Sequence, residues 1–484
     1  MSNAQTNARA GGSALFNLIR RLHFYIGLFV APFIFVAALT GTLYVLTPQL
    51  ENYVYHDALT VIPMGEAKPL SAQVAAARHY AGEALKVYAV RPSPQSTETT
   101  RVQFVSGSLG PSESRSVFVD PYSLAIKGDM TVYGTSGVLP LRLWLDQLHR
   151  GLLLGDLGRN YSELAASWLW VAALGGVVLW RGTRPRRAAK KIKGRFAVSR
   201  HWHITLGLIL VIGLLFFSVT GLTWSQWAGD NIDKMRSSLN WLTPQVGTDL
   251  GAESPVGAAD PHAEHSAGIA TPMPGMDRAG MSHPAIVNRP DGDWDKVLDA
   301  ARAAGISAQK VELRQPKAIG KAWTVTEVDR RWPTQVDAVS VNPKNFTIVD
   351  HVWFEQFPLA AKLTRWGVDA HMGILFGLPN QLILVFFGLG LCSMIVLGYR
   401  MWWLRRPAVA RMNPLDTLCG AWLSLTVLQK SLVLVIAALL GYALPIMGIS
   451  VLLFMSVDIG RWWRMKNRSA DNHAYPNSST QCDG

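Results

Sequence analysis

LHFYIGLFVAPFIFVAALTGTLYVL, residues 22–46, is an apolar run with a histidine in second place. One helical crossing of a bilayer core takes about 20 apolar residues. The run is far longer than the apolar centre of a signal peptide, which is about 7–15 residues, so it is expected to remain as an anchor. HWHITLGLILVIGLLFFSVTGL, residues 201–222, opens in the same way. An ionisable ring at the mouth of a membrane span is costly. Each histidine is therefore a candidate site residue, set against the plainer alternative of a ring hydrogen-bonded among headgroups.

The whole chain agrees with a membrane protein. Of its 484 residues, 49% are hydrophobic and only 16% charged, where a soluble protein carries about a quarter charged residues. Apolar runs fall near 22–46, 161–181, 202–226 and 380–404, with two more loosely bounded at 424–443 and 445–463. The expected fold class is an α-helical bundle of about six transmembrane helices carrying two α+β domains outside the membrane.

The net charge of +13 is not spread evenly. Arg181, Arg184, Arg186, Arg187, Lys190, Lys191, Lys193, Arg195 and Arg200 crowd one short loop, and further arginines follow the fourth and last spans. Lys and Arg collect in cytoplasmic loops, so these segments and both termini are expected on the cytoplasmic side. That distribution excludes nucleic acid as the partner the charge would otherwise suggest.

The expected order is then a cytoplasmic N-terminus 1–21, the first span 22–46 and a periplasmic domain 47–140. An interfacial helix with the second span occupies 141–181, the basic loop 182–201 and the third span 202–226. A second periplasmic domain takes 227–370, an interfacial helix with the fourth span 371–404, and a cytoplasmic loop 405–423. The last two spans share 424–463, before a cytoplasmic tail 464–484. Lys430 and Asp458, near the ends of those last spans, are expected to snorkel to the interface.

The chain repeats itself. At an offset of 180, Arg20, His23, Gly27, Leu28, Thr40 and Gly41 meet Arg200, His203, Gly207, Leu208, Thr220 and Gly221. At an offset of 222, Val117, Val119, Pro121, Ile126, Trp144, His149, Gly151 and Gly155 meet Val339, Val341, Pro343, Ile348, Trp366, His371, Gly373 and Gly377. The difference of 42 residues fits an insertion in the second copy, about 245–288. The repeated unit is helix, outer domain, helix. In each outer domain one helix, SAQVAAARHYAGEAL or DWDKVLDAARAAG, precedes alternating strand-like stretches with Asp-Pro or Asn-Pro at a turn.

The repeat pairs His23 with His203, and His149 with His371. The first pair opens spans one and three; the second lies on short helices that break, at LLGDLGRN and LFGLPNQ, before spans two and four. Two opposed neutral imidazoles between packed helices fit the axial ligands of a b-type haem, and the two pairs imply two haems. No Asp or Glu shares the first turn at His23 or His203, which makes a carboxylate–histidine zinc site a poorer match. Gly27, Gly207, Gly151 and Gly373 are expected to let a porphyrin lie against the helices. His201, whose repeat mate is Arg21, is a backup ligand or propionate partner, or else an ordinary interfacial ring. Cys392, Cys419 and Cys482 form neither a disulfide framework nor a CxxCH haem-attachment motif. No glycine-rich nucleotide loop appears, so no flavin or NAD(P) site is expected and the electron donor must be separate.

These segments, with LHRGLLLGDLGR and AHMGILFGLPNQ, resemble the PepSY-associated transmembrane proteins over roughly 15–410. The resemblance implies haems held between helices by histidine pairs. It also implies, as an activity, reduction of a periplasmic ferric siderophore or other metal complex. The insertion adds His262, His265, Met273, Met276, Met281 and His283. Thioether with imidazole suits copper, whereas the Gly/Ala/Pro content suits a linker. A periplasmic copper reductase or copper-handling protein is the alternative function. A peptide- or protease-binding module without redox activity is the third, and it leaves the repeated histidines unexplained.

Overall fold

In the computed structural model the described residues are 2–110, 112–134, 137–183, 194–251, 258–259, 293–405 and 417–474. They form two compact units: Met1–Gly41, His149–Asn231 and Phe386–Gly484 make one, Thr42–Leu148 and Ile232–Val385 the other.

The first unit is helical. Helix α1 (Ser2–Tyr25) passes through a π-helical turn, Ile26–Val30, into α2 (Ala31–Val45). Next come α7 (Gly155–Gly182) and α8 (Arg195–Leu222); α6 (Pro140–Gly151) and α9 (Trp227–Ser238) each begin in one unit and end in the other. The unit closes with α12 (Leu378–Arg405), α13 (Leu418–Leu423), α14 (Val427–Ala443) and α15 (Pro445–Ala474). Among the described residues, five helices are long and apolar enough to cross a membrane: Ala14–Val45, Gly155–Gly182, Arg195–Leu222, Leu378–Arg405 and Pro445–Asn467. At 1.5 Å per residue, a helix of 28 residues runs about 42 Å and exceeds a hydrocarbon core of about 30 Å. Their outward side chains are apolar, as lipid requires: Ile212 is 79% and Leu382 61% exposed. The expected fifth span, α14, has only 17 residues, so the count is five long helices and one short apolar one.

The second unit holds both α+β modules. α3 (Thr47–Val54) and α4 (His56–Leu59) lead to α5 (Leu70–Ala81) and four strands: β1 (Val87–Arg91), β2 (Thr100–Phe104), β3 (Glu113–Val119) and β4 (Ile126–Tyr133). The short strands β5 (Thr243–Pro244) and β6 (Ala258–Ala259) pair with each other. The second module repeats the plan with α10 (Asp293–Ala303), β7 (Val311–Arg314), β8 (Trp323–Glu327), β9 (Ala338–Val341) and β10 (Ile348–Val352), then α11 (Leu359–His371).

The two modules share one antiparallel sheet, in the order β10-β9-β8-β7-β1-β2-β3-β4, closed at the β1–β7 seam. Alternate side chains fall on opposite faces of a strand. Val90, Val102, Phe104, Val117, Val119, Leu313, Val325, Val339 and Val341 therefore pack together on one face. Helix α5 covers them with Leu70, Val74 and Ala77, and α10 with Trp294, Val297 and Ala301, each set spaced to place it along one helix side. Asp295 of α10 also accepts the backbone N–H groups of Leu70 (2.6 Å) and Ser71 (3.1 Å), which caps α5 from the other module.

The repeat extends to backbone detail. Leu124 (φ 62°) and Phe346 (φ 58°), both non-glycine residues in the left-handed region, stand 222 positions apart in corresponding hairpin turns. Gly155 and Gly377, at the breaks after the second pair of histidines, share φ +59°.

Candidate functional site

His23 lies in the last turn of α1 and His203 in the first half of α8, both in the helical unit. Their ring centroids are 6.5 Å apart with planes at 81°. Edge-to-face ring contacts extend over roughly 4.5–7 Å, a range that includes this pair. A metal–imidazole bond is about 2.0–2.1 Å, and two such bonds through one metal place ring centroids roughly 6 Å apart. The observed separation has room for one metal atom. Among the described residues no cluster of three His, Cys, Asp or Glu side chains forms, so this pair has no third ligand of the kind a structural zinc needs.

The second nitrogens of the rings explain how they are aimed. Nδ1 of His203 lies 2.9 Å from the carbonyl oxygen of Met394 in α12. A carbonyl only accepts, so Nδ1 carries the proton and the lone pair is on Nε2. Metal-bound histidines ordinarily give their other N–H to such an acceptor. The His23 ring lies beside the backbone of Ala172, yet its buried Nδ1 completes no hydrogen bond of ordinary geometry.

His149 sits in the last turn of α6. Its Nδ1 is 3.0 Å from Thr40 Oγ1, and the Thr40 hydroxyl donates to the Val36 carbonyl at 2.7 Å. Thr40 therefore accepts from Nδ1, and Nε2 again carries the lone pair. Just beyond, Leu152 (φ 52°) and Leu153 (φ 60°) are consecutive left-handed residues that turn the chain into α7. The break requires glycine on its far side: a Cβ on Gly158 would lie 1.8 Å from the Gly151 carbonyl oxygen. Tyr161 donates its hydroxyl to the His149 carbonyl, and Ser162 to that of Arg150 at 2.8 Å. His371 closes α11 in the second unit. Beside it Asn380 donates to the Ala370 carbonyl at 2.9 Å, and the fully buried Asp369 pairs with Arg330.

The glycines beside the histidine rings belong to neighbouring helices. A Cβ on Gly176 would meet His23 Cε1 at 3.4 Å, and one on Gly398 would meet His203 Cε1 at 3.6 Å. One on Gly41 would reach His149 Cε1 at 3.0 Å. The four glycines singled out in the sequence stand elsewhere. Gly27 faces open space, Gly207 the Met394 sulfur, Gly151 the backbone of Arg159, and Gly373 the side chains of Gln381 and Leu384. His201 is exposed, its ring centroid 5.9 Å from that of Trp202, and it lies outside the pair. His262, His265, Met273, Met276, Met281 and His283 lie outside the described residues.

The bundle also contains carboxylates whose roles the sequence did not reveal. Asp458 is fully buried and does not snorkel: it accepts from the Tyr25 hydroxyl and from Cys419 N at 2.7 Å. Two donors satisfy its oxygens there, so burial leaves no unpaired acceptor. Lys430 reaches the Leu423 carbonyl at 3.5 Å. Glu163, fully buried in α7, accepts from Trp227 N (2.9 Å) and Ala228 N (3.3 Å) and so caps α9.

In the sheet unit, the face opposite the helices is polar along the seam. Glu312 of β7 binds Arg91 and Arg314, each at 2.5 Å. Arg101 adjoins them; burial, and then the neighbouring Arg91, lower its pKa to about 10, against a raising influence from Glu51. Along this face, and in Gln315 just past β7, the amide atoms of Gln103 and Gln315 and the hydroxyls of Ser116 and Ser340 are buried without hydrogen-bond partners. Such groups usually signal a water or ligand that satisfies them.

The family model for the PepSY-associated TM region matches residues 20–405. The chain belongs to that family. The match covers all four repeated histidines and stops at the end of α12, so the last three helices of this PepSY-associated protein lie beyond it. Its long apolar helices, joined to a sheet-containing unit, make it a multi-pass membrane protein with the lipid bilayer as a partner. No curated protein matches the chain.

Proposed function

We propose that this protein is a di-haem b electron-transfer protein of the bacterial inner membrane that delivers electrons to a periplasmic ferric siderophore. The opposed imidazoles of His23 and His203, at a spacing suited to one metal atom, carry the proposal. Their Nε2 atoms would hold one haem, and for a second the sequence repeat alone offers His149 and His371. Haem held there would supply a one-electron carrier.

The chain's own residues do the rest. The Met394 carbonyl and the Thr40 hydroxyl fix the tautomers of His203 and His149. Gly176, Gly398 and Gly41 keep side-chain bulk away from the rings. Reduction of Fe(III) to Fe(II) weakens its hold on hard oxygen ligands and so frees the metal from a siderophore. With no nucleotide loop in the sequence, the electron donor is a separate cytoplasmic or membrane component. The copper alternative rests on the His/Met composition of the insertion.

The deciding measurement is the absorption spectrum of protein purified from haem-replete cells, with haem quantified by extraction. Two b haems per chain and a low-spin reduced spectrum are expected. A colourless, folded preparation rejects the proposal.

A further inference from the structure

The helices beyond the family match are built into the His23 site. Ser450, Phe454, Asp458 and Arg461 of α15 lie four, four and three residues apart, which places them along one helix side. Each member of this stripe engages the first span or its neighbour. Ser450 Oγ accepts from Trp168 Nε1 at 2.8 Å. Phe454 packs at 5.8 Å from Phe29 and 5.6 Å from Trp168. Asp458 accepts the Tyr25 hydroxyl, and Arg461 Nη1 donates to that same hydroxyl at 2.9 Å.

The contacts on the first span bracket its π-turn. Tyr25 immediately precedes Ile26–Val30 and Phe29 lies within it; the turn closes with Ala31 N bonded to the Ile26 carbonyl. Tyr399 of α12 donates to the Leu28 carbonyl at 2.9 Å. In the second copy the corresponding residues 206–210 stay α-helical within α8. The repeat mates of Tyr25 and Phe29 are Thr205 and Ile209, neither of which carries an aromatic ring. The copies thus differ at the two positions that meet α15, and they differ there in helix type. A π-turn takes up one residue more than an α-turn, and one residue is about 100° of rotation. The direction of His23 relative to the rest of its span depends on that turn, which is unfavourable without outside support.

We infer that α15 is a clamp on the π-turn and that Asp458 is a positioning residue, acting through Tyr25 to aim His23 at His203. The clamp takes from the proposed function only that the pair holds a ligand. The test uses the full chain in detergent, with Asp458→Leu and Tyr25→Phe as probes and Ser450→Ala as control. The control removes a bond of the same stripe that touches neither Tyr25 nor the π-turn. Amide hydrogen exchange at Ala31 should accelerate in Asp458→Leu and remain as in the parent in Ser450→Ala. Haem affinity at the His23/His203 site should fall roughly tenfold in Asp458→Leu, as for loss of other groups that support a ligand. Its low-spin resonance should shift, and that of the other site should not. Unchanged exchange at Ala31 overturns the clamp, as does an equal effect of Ser450→Ala and Asp458→Leu. If the parent binds no haem, the proposed function fails by itself and the exchange measurement still decides the clamp.

Discussion

His203 gives its Nδ1 proton to the carbonyl of Met394 at 2.9 Å, a residue 191 positions later in the chain. No change of the Met394 side chain removes that bond, since the acceptor is backbone. The pair is therefore best tested at the rings. His23→Ala or His203→Ala should each remove one and the same haem, and His149→Ala or His371→Ala the other. Difference spectra of the four variants check this. Loss of a single haem by both His23→Ala and His149→Ala would refute the pairing. His201→Ala should keep both.

Gly41 tests the support of His149. A methyl group there would stand 3.0 Å from Cε1, so Gly41→Ala must move the ring against its bond to Thr40. Thr40→Val removes that bond directly. Each should lower haem affinity at the His149 site by about tenfold and leave the His23/His203 site unchanged. Haem titration of the stripped protein reads both sites.

Glu312→Gln should destabilise the sheet unit. The substitution removes the buried carboxylate that Arg91 and Arg314, both half-buried, share beside Arg101. Breaking one partner of a buried ion pair costs about 3–5 kcal/mol. Chemical denaturation of the full chain, followed through the aromatic signals of the sheet unit, measures it. A midpoint equal to that of the parent would show that the triad does not hold the seam.

The two hairpin turns offer a pH test with an internal control. Burial raises the Asp120 carboxyl, but hydrogen bonds from Tyr122 N and from the Ser123 hydroxyl and N–H outweigh it and hold its pKa below the ordinary 3.8. A lowered folded pKa contributes stability above the unfolded value and loses it as pH falls through the folded one. The first turn should therefore loosen only below about pH 4. Its counterpart is Asn342, which accepts from Lys344 N at 2.9 Å and does not titrate. Asp120→Asn should abolish the acid loosening of the first turn, read by amide exchange at Leu124 between pH 5 and 3.

Deletion of residues 250–285 separates iron from copper. Soft thioethers and borderline imidazoles have little to offer an oxygen-ligated Fe(III) complex. Oxidation of the reduced protein by a ferric siderophore should survive the deletion largely intact. Rapid oxidation by Cu(II) alone, lost with the insertion, would favour the copper alternative.

The membrane class and the repeat are legible in the sequence, because each is written locally. Apolar run length follows from bilayer thickness, and a fixed offset survives in Pro121 and Pro343 as plainly as in His149 and His371. Leu124 and Phe346 show that the same register governs the backbone. Tertiary structure alone decided what those residues touch. Gly176 and Gly398, which stand beside the rings, belong to other helices, so no spacing from His23 or His203 along its own helix reveals them. Asp458 looked like a snorkelling end because its partner, Tyr25, is 433 residues distant and leaves no local signal. The shared sheet was hidden for a similar reason: β1 and β7 meet through Val90 and Leu313, and an edge strand's alternation is the same whether it faces water or another strand.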